Sequence, residues 1–177
     1  MTPPFPRSYW VIPGKLLAGC YPGDLDPGQR DAKLGALLAS GVTLVINLME
    51  ESESDHSGNP FDDYAPRLHE FVNSEKVVRT VRFAIRDQSI PSPALMQTIL
   101  RAIDEEISAN GVAYVHCWGG KGRTATAVGC YLVSRNIETH ETVLARLREL
   151  TAHASKFFWP TPQTAEQCDF ITSWSAR

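Results

Sequence analysis

The run Val115-His116-Cys117-Trp118-Gly119-Gly120-Lys121-Gly122-Arg123-Thr124 lies where an apolar segment, Ala113 to Val115, gives way to a helical pattern. Three glycines in the five residues after Cys117 let successive backbone N–H groups turn inward around one anion, because no Cβ stands in the way. The helix opening behind them adds its unpaired N–H groups and the positive end of its dipole. Arg123 closes the cradle with a planar fork that can hold two oxygens of a tetrahedral phosphate. Cys117 lies at the bottom, where a field of this sign favours ionised sulfur, the nucleophilic form. The stretch predicts a strand, an anion-binding loop and a helix start, with a thiol aimed at bound phosphate.

Outward from that loop, strands and helices alternate. Tyr9-Trp10-Val11-Ile12 and Lys15-Leu16-Leu17-Ala18 flank the turn Pro13-Gly14 as a hairpin at a sheet edge. Asp26-Pro27-Gly28 opens a helix that Ser40-Gly41 ends. Thr43 to Leu48 reads as a buried strand, parallel to its neighbours. A helix is expected from Asp62 to Asn73, with Leu68, Phe71 and Val72 inward, and a strand from Val77 to Ile85. Ser92-Pro93 starts a long helix whose Leu95, Ile99, Ile103 and Ile107 face the core while Arg101, Asp104, Glu105 and Glu106 face away. Ala125 to Ser134 suits a central buried helix, Thr139 caps the next, and Thr161-Pro162 opens the last. The pattern implies an α/β three-layer sandwich with a mostly parallel sheet, and places the loop at a strand's carboxyl end. Residues 1–8 read as a proline-stiffened tail and 9–177 as one domain.

Composition narrows the class. A net charge of −3 and a pI near 5.9 argue against a nucleic-acid binder. No apolar run approaches the length of about 20 residues that spans a bilayer. Cys20, Cys117, Cys130 and Cys168 show neither a C-x-x-C pair nor a metal-ligand spacing, so neither metal nor cofactor is expected. A reduced, cytoplasmic setting and a monomer are the expectations that follow, with Cys20, Cys130 and Cys168 as core or near-core thiols.

The string from His116 to Thr124 fits the C-x5-R-[ST] signature and resembles the cysteine-dependent protein phosphatases, in particular their compact dual-specificity branch. Trp118 is similar to the Tyr or Trp found there in the kinase-associated type. The resemblance implies a metal-independent phosphomonoester hydrolase with Cys117 as nucleophile, the loop Trp118 to Gly122 with Arg123 as phosphate cradle, and a phosphorylated protein as substrate. It also implies an acid on a separate loop, and Asp87, thirty residues before Cys117 and followed closely by Pro91, occupies that place. The tryptophan typical of the tyrosine-specific branch is absent before Asp87, which favours dual specificity. Thr124 matches the hydroxyl that bonds the departing sulfur.

Several residues keep two readings. His116 orders the loop through a backbone bond or is a packed strand-end histidine. Gln163 and Gln167 position water or lie on an ordinary helix surface. The Glu50 to Asn59 segment is a solvated loop or a rim over the site. Lys121 is a surface charge or, as in related lipid phosphatases, a contact for phosphoinositide or inositol phosphate substrates. A phosphate-binding adaptor without turnover is the alternative from another class.

Overall fold

The structure, a computed structural model, describes residues 1–72, 77–152 and 160–175. Five strands form one sheet in the order β1-β2-β5-β3-β4. They are β1 (Ser8–Ile12), β2 (Leu16–Gly19), β3 (Leu44–Asn47), β4 (Arg79–Arg82) and β5 (Ala113–His116). The edge hairpin β1–β2 is antiparallel and every other pairing is parallel, with Gly19 and Asn47 both in register with His116. The parallel strands therefore end together, on the side where Cys117 follows β5.

Alternation along β5 divides the core. Tyr114 joins Leu17 and Val45 on one face, under α1 (Pro27–Ala39) and α2 (Ala65–Glu70). Ala113 and Val115 join Ala18 and Ile46 on the other, under α3 (Pro93–Ser108), α4 (Arg123–Ser134), α5 (Val143–Thr151) and α6 (Ala165–Thr172). This is the expected three-layer sandwich. Helix α4 is buried from Arg123 to Leu132, since neighbouring helices and the sheet enclose it. No helix among the described residues is long and apolar enough to cross a membrane. Cys20 and Cys130 are buried, Cys168 is partly so, and all of the cysteines are free.

The helix starts at Asp26 and Ser92 are as expected: each side chain accepts from a first-turn N–H, with Pro at the next position. Other expectations need correction. Glu106 is not on the solvent face of α3: it is buried, accepting from Thr43 Oγ1 at 2.5 Å and from Arg79. Phe71 is not inward but exposed, under the Arg67 guanidinium at 4.6 Å. β4 is shorter than Val77 to Ile85 because Val77 is exposed and the ladder ends at Arg82. The cap of α5 is Thr142; Thr139 instead organises the preceding turn, its carbonyl accepting from Thr142 N and Val143 N. α6 begins after Thr164, not at Thr161-Pro162, because Thr164 and Gln167 form a reciprocal capping box. The expected end of the Asp62 to Asn73 helix at Asn73 lies outside the described residues.

The first residues pack against the domain. Phe5 is buried edge-on to Tyr114, and Arg7 adopts φ +65°, a left-handed backbone that costs a non-glycine residue free energy. That turn carries the Arg7 guanidinium to the loop after β5, where Nη2 donates to Gly119 O at 3.1 Å.

Candidate active site

Cys117 is 3% exposed, and its Sγ accepts from Gly120 N at 3.3 Å. Gly120 is at φ +75°, and a Cβ there would stand 2.6 Å from the Gly19 carbonyl carbon. Only glycine permits both the backbone turn and the approach of β2. Gly122 is the residue before α4, so Arg123 and Thr124 stand in the first turn of a helix whose N-terminus faces the loop.

Arg123 is 1% exposed and its fork is occupied in a particular way. Nη1 and Nη2 both bond the Glu53 carboxylate, Nη1 donates to Ile85 O at 2.9 Å, and Nη2 lies 3.0 Å from Asp87 Oδ1. Burial opposes the guanidinium charge, but Glu53, the Cys117 sulfur and Asp87 outweigh it and hold Arg123 above its ordinary value. Of the Arg123 nitrogens, Nε is buried with no partner among the described residues. An orphaned N–H in this position is unfavourable unless a ligand oxygen satisfies it, which is what a phosphate above Cys117 would do.

The loop that carries Asp87 follows β4. Ser89 N bonds Arg86 O at 3.1 Å, a turn that presents Asp87 at the mouth of the site, with its side chain 43% exposed. Gln167, fully buried at the start of α6, locks this loop: Nε2 donates to Ser89 O at 3.1 Å while Oε1 accepts from Gln163 N and Thr164 N. A Cβ on Gly122 would be 3.0 Å from both Gln163 Oε1 and Gln167 Nε2, so the two amides flank the cradle and are not on an outer helix surface.

His116 is fully buried. Its Nδ1 lies 3.2 Å from Cys117 O, which can only accept, so Nδ1 carries the proton and Nε2 accepts from Tyr64 Oη at 2.6 Å. Burial, with the Arg82 and Arg123 charges, pushes the imidazole down to about 3, so it stays neutral. Of its two readings, the structure favours loop ordering. Thr124 is also buried, but its hydroxyl bonds Gly19 O at 3.4 Å and not the sulfur.

The Glu50 to Asn59 segment is a rim. It supplies Glu53 to Arg123 and lays His56 against Trp118 at 4.5 Å between ring centroids, with Phe61 on the same indole at 5.3 Å. Lys121 sits nearby, its ammonium pushed down by burial and by Arg7. Glu53 and Arg7 are the two site residues that the sequence reading missed. Glu53 is one of several acidic residues in a polar run, and Arg7 follows a proline-rich start, so neither carries a local signal.

Known proteins resemble this chain. The effector protein hopD2 of Pseudomonas syringae pv. tomato is 35% identical over 113 residues, covering 62% of this chain and 24% of that protein. The dual specificity protein phosphatase CDC14B of Mus musculus is 26% identical over 146 residues, 78% of this chain and 26% of that one. The chain thus spans under a third of the length of these curated relatives. Among solved structures, kinase associated phosphatase superposes with a TM-score of 0.69 at 17% identity, covering 97% of this chain and 93% of that one, a likeness of fold. A family model covers residues 6–161, from the segment that brings in Arg7 to the threshold of α6, and by that match this chain belongs to the DSP-PTPase phosphatase domain family of the Swiss Army Knife proteins.

Proposed function

We propose that this protein is a cysteine-dependent phosphoprotein phosphatase acting on phosphotyrosine, with phosphoserine and phosphothreonine as further substrates. The observation that carries this reading is the convergence on Arg123 of the Cys117 loop on one side and Asp87, at 3.0 Å, on the other. A phosphate held by the loop N–H groups and the orphaned Arg123 Nε has the sulfur beneath it and a carboxyl group above it.

Two steps follow. The Cys117 thiolate forms an S–P bond as the P–O bond to the alcohol or phenol breaks, and Asp87 gives the leaving oxygen its proton. Water then forms a new P–O bond as the S–P bond breaks; Asp87 takes the water proton and inorganic phosphate leaves. Thr124 turns its hydroxyl from Gly19 to the departing sulfur, while Gln163 and Gln167 border the face from which water attacks. A neutral His116 holds the Cys117 carbonyl in place throughout. A reducing, cytoplasmic setting belongs to the same proposal, because a nucleophilic thiol is capped under oxidising conditions.

The test is hydrolysis of p-nitrophenyl phosphate in EDTA. Cys117→Ser should abolish it; retained turnover would falsify the nucleophile assignment. Asp87→Asn should slow alkyl phosphates and phenyl phosphate far more than p-nitrophenyl phosphate, whose leaving group needs little protonation. Equal losses across leaving groups would remove Asp87 as the acid. A second reading, hydrolysis of an inositol phosphate or phosphoinositide, is favoured by the cations Lys121 and Arg7 at the loop. A plant relative, PTEN1 of Arabidopsis thaliana, is named as a phosphatidylinositol 3,4,5-trisphosphate 3-phosphatase as well as a protein-tyrosine-phosphatase and is 25% identical over 135 residues. Turnover of phosphopeptide and inositide compared side by side separates the two.

A further inference from the structure

We propose that the groove beside the phosphate loop is a second anion subsite, in which Arg7 receives the carboxylate of an acidic residue next to the phosphorylated residue of the substrate. The proposal rests on the phosphatase reading and adds its sequence preference.

The groove holds about 300 Å³ between the β2–α1 connection and the rim, with Tyr21, Phe61 and Trp118 as walls and Arg7 and Lys33 as cations. Trp118 is common to it and to the phosphate loop, so a chain seated on Cys117 runs directly into it. Carboxylates line it too, and what decides its character is which of them are already paired or have their oxygens occupied. Asp24 pairs with Lys33 at 2.7 Å. Asp62 pairs with Arg30 at 3.3 Å. Asp55 is folded into its own turn, accepting from Ser57 N, Asn59 N and Asn59 Nδ2 between 2.8 and 3.0 Å.

Arg7 has no carboxylate partner among the described residues. One nitrogen donates to Gly119 O, and Nε is buried with nothing to bond. The left-handed backbone at Arg7 is what brings that guanidinium here. Its field reaches Lys121 and Cys20: it adds to the burial that pushes the Lys121 ammonium down and opposes the burial that pushes the Cys20 thiol up. Gly119, which it touches, is two residues from Cys117, a span of at most about 7 Å. That distance suits a side chain one or two positions from the phosphorylated residue. Aromatic walls and Arg7, a cation with no carboxylate partner among the described residues of the groove, fit a peptide better than an inositol ring carrying several phosphates, which requires several cations.

Two phosphotyrosine peptides that differ only in Glu or Gln on both sides of the phosphotyrosine test this. Wild type should favour the Glu peptide by about tenfold in kcat/KM. Arg7→Gln should bring the ratio within about twofold and Arg7→Lys should keep most of it, because charge is retained. Each rate is divided by the same variant's rate on p-nitrophenyl phosphate, so a general loosening of the loop cancels. Anisotropy binding of the same peptides to Cys117→Ser protein, alone and combined with Arg7→Gln, reads the ratio without turnover. Failure of all hydrolysis would overturn the phosphatase reading yet leave this binding ratio to decide the subsite. An equal preference for the two peptides, a ratio unchanged in Arg7→Gln, or faster Arg7-dependent hydrolysis of a myo-inositol polyphosphate would each overturn the proposal.

Discussion

The phosphate loop and the wall around it are built on opposite plans. From His116 to Thr124 the cradle is formed by neighbours in sequence, through glycine dihedrals and one helix start. The wall is assembled from afar: Arg7 meets Gly119 across 112 residues, Gln167 meets Ser89 across 78, and Glu53 meets Arg123 across 70. A contiguous loop fixes what chemistry is done, and a dispersed wall fixes how well the loop is held and what it accepts. Substitutions in the loop should therefore damage every substrate alike, and substitutions in the wall should damage less or discriminate.

Arg123→Lys is the most severe way to test that division. Charge is preserved, but a single ammonium cannot bond Glu53, Ile85 O and a phosphate together as the fork does. The expected loss is about 10²- to 10³-fold in kcat on p-nitrophenyl phosphate and phosphopeptide alike, the scale for losing a preorganised oxyanion donor. A loss of only a few-fold would mean that charge suffices and that loop geometry is not what sets the rate.

Glu53→Gln makes the corresponding cut in the wall. Glu53 holds both terminal nitrogens of Arg123 and is anchored in turn, its Oε1 accepting from Glu50 N at 2.8 Å. The amide keeps the shape and loses one acceptor, leaving Asp87 and Ile85 O to orient the fork. We expect about a tenfold fall in kcat on p-nitrophenyl phosphate, with about 1–3 kcal/mol of stability lost to an imperfectly paired buried group. Faster turnover would reverse the assignment and make Glu53 a competitor for the phosphate position.

The same division decides what the sequence alone could reveal. Cys117, Arg123, Thr124 and the glycines are legible because their relation is one of spacing, and the β-branched run before Asn47 and the caps at Asp26 and Ser92 are legible because they too are local. Asp87, which the structure brings to Arg123, was reachable because the proposed chemistry asks for an acid on a separate loop and this one offers a carboxyl group. Glu106 looked solvated from its helical position, yet Thr43 and Arg79, brought close by β3 and β4, make burial tolerable. Glu53 was legible only as one of several residues in a segment with a rim reading, and Arg7 had no signal at all: their roles exist only once the rim folds over Trp118 and the first residues turn at φ +65°.

His116 joins the two regions, since Nδ1 holds the loop and Nε2 meets Tyr64, the residue that precedes α2. Its effect should be the smallest and should appear in stability against pH. The native imidazole is pushed down to about 3 from the ordinary 6.5, so between those values the unfolded chain binds a proton that the folded one refuses. Stability from this group is fully present above about pH 6.5 and falls as pH drops, by up to about 1.4 kcal/mol per pH unit. Urea unfolding at intervals from about pH 7 down to about pH 5, where few carboxylates titrate, should show that slope in wild type and a shallower one in His116→Gln. Histidines outside the site contribute equally to both proteins and cancel in the difference. Tyr64→Phe removes the donor to Nε2 and should lower stability by about 1–3 kcal/mol at every pH while leaving the slope in place. An unchanged slope in His116→Gln would mean that the imidazole is not held neutral, and the loop would then be less isolated from solvent than its burial indicates.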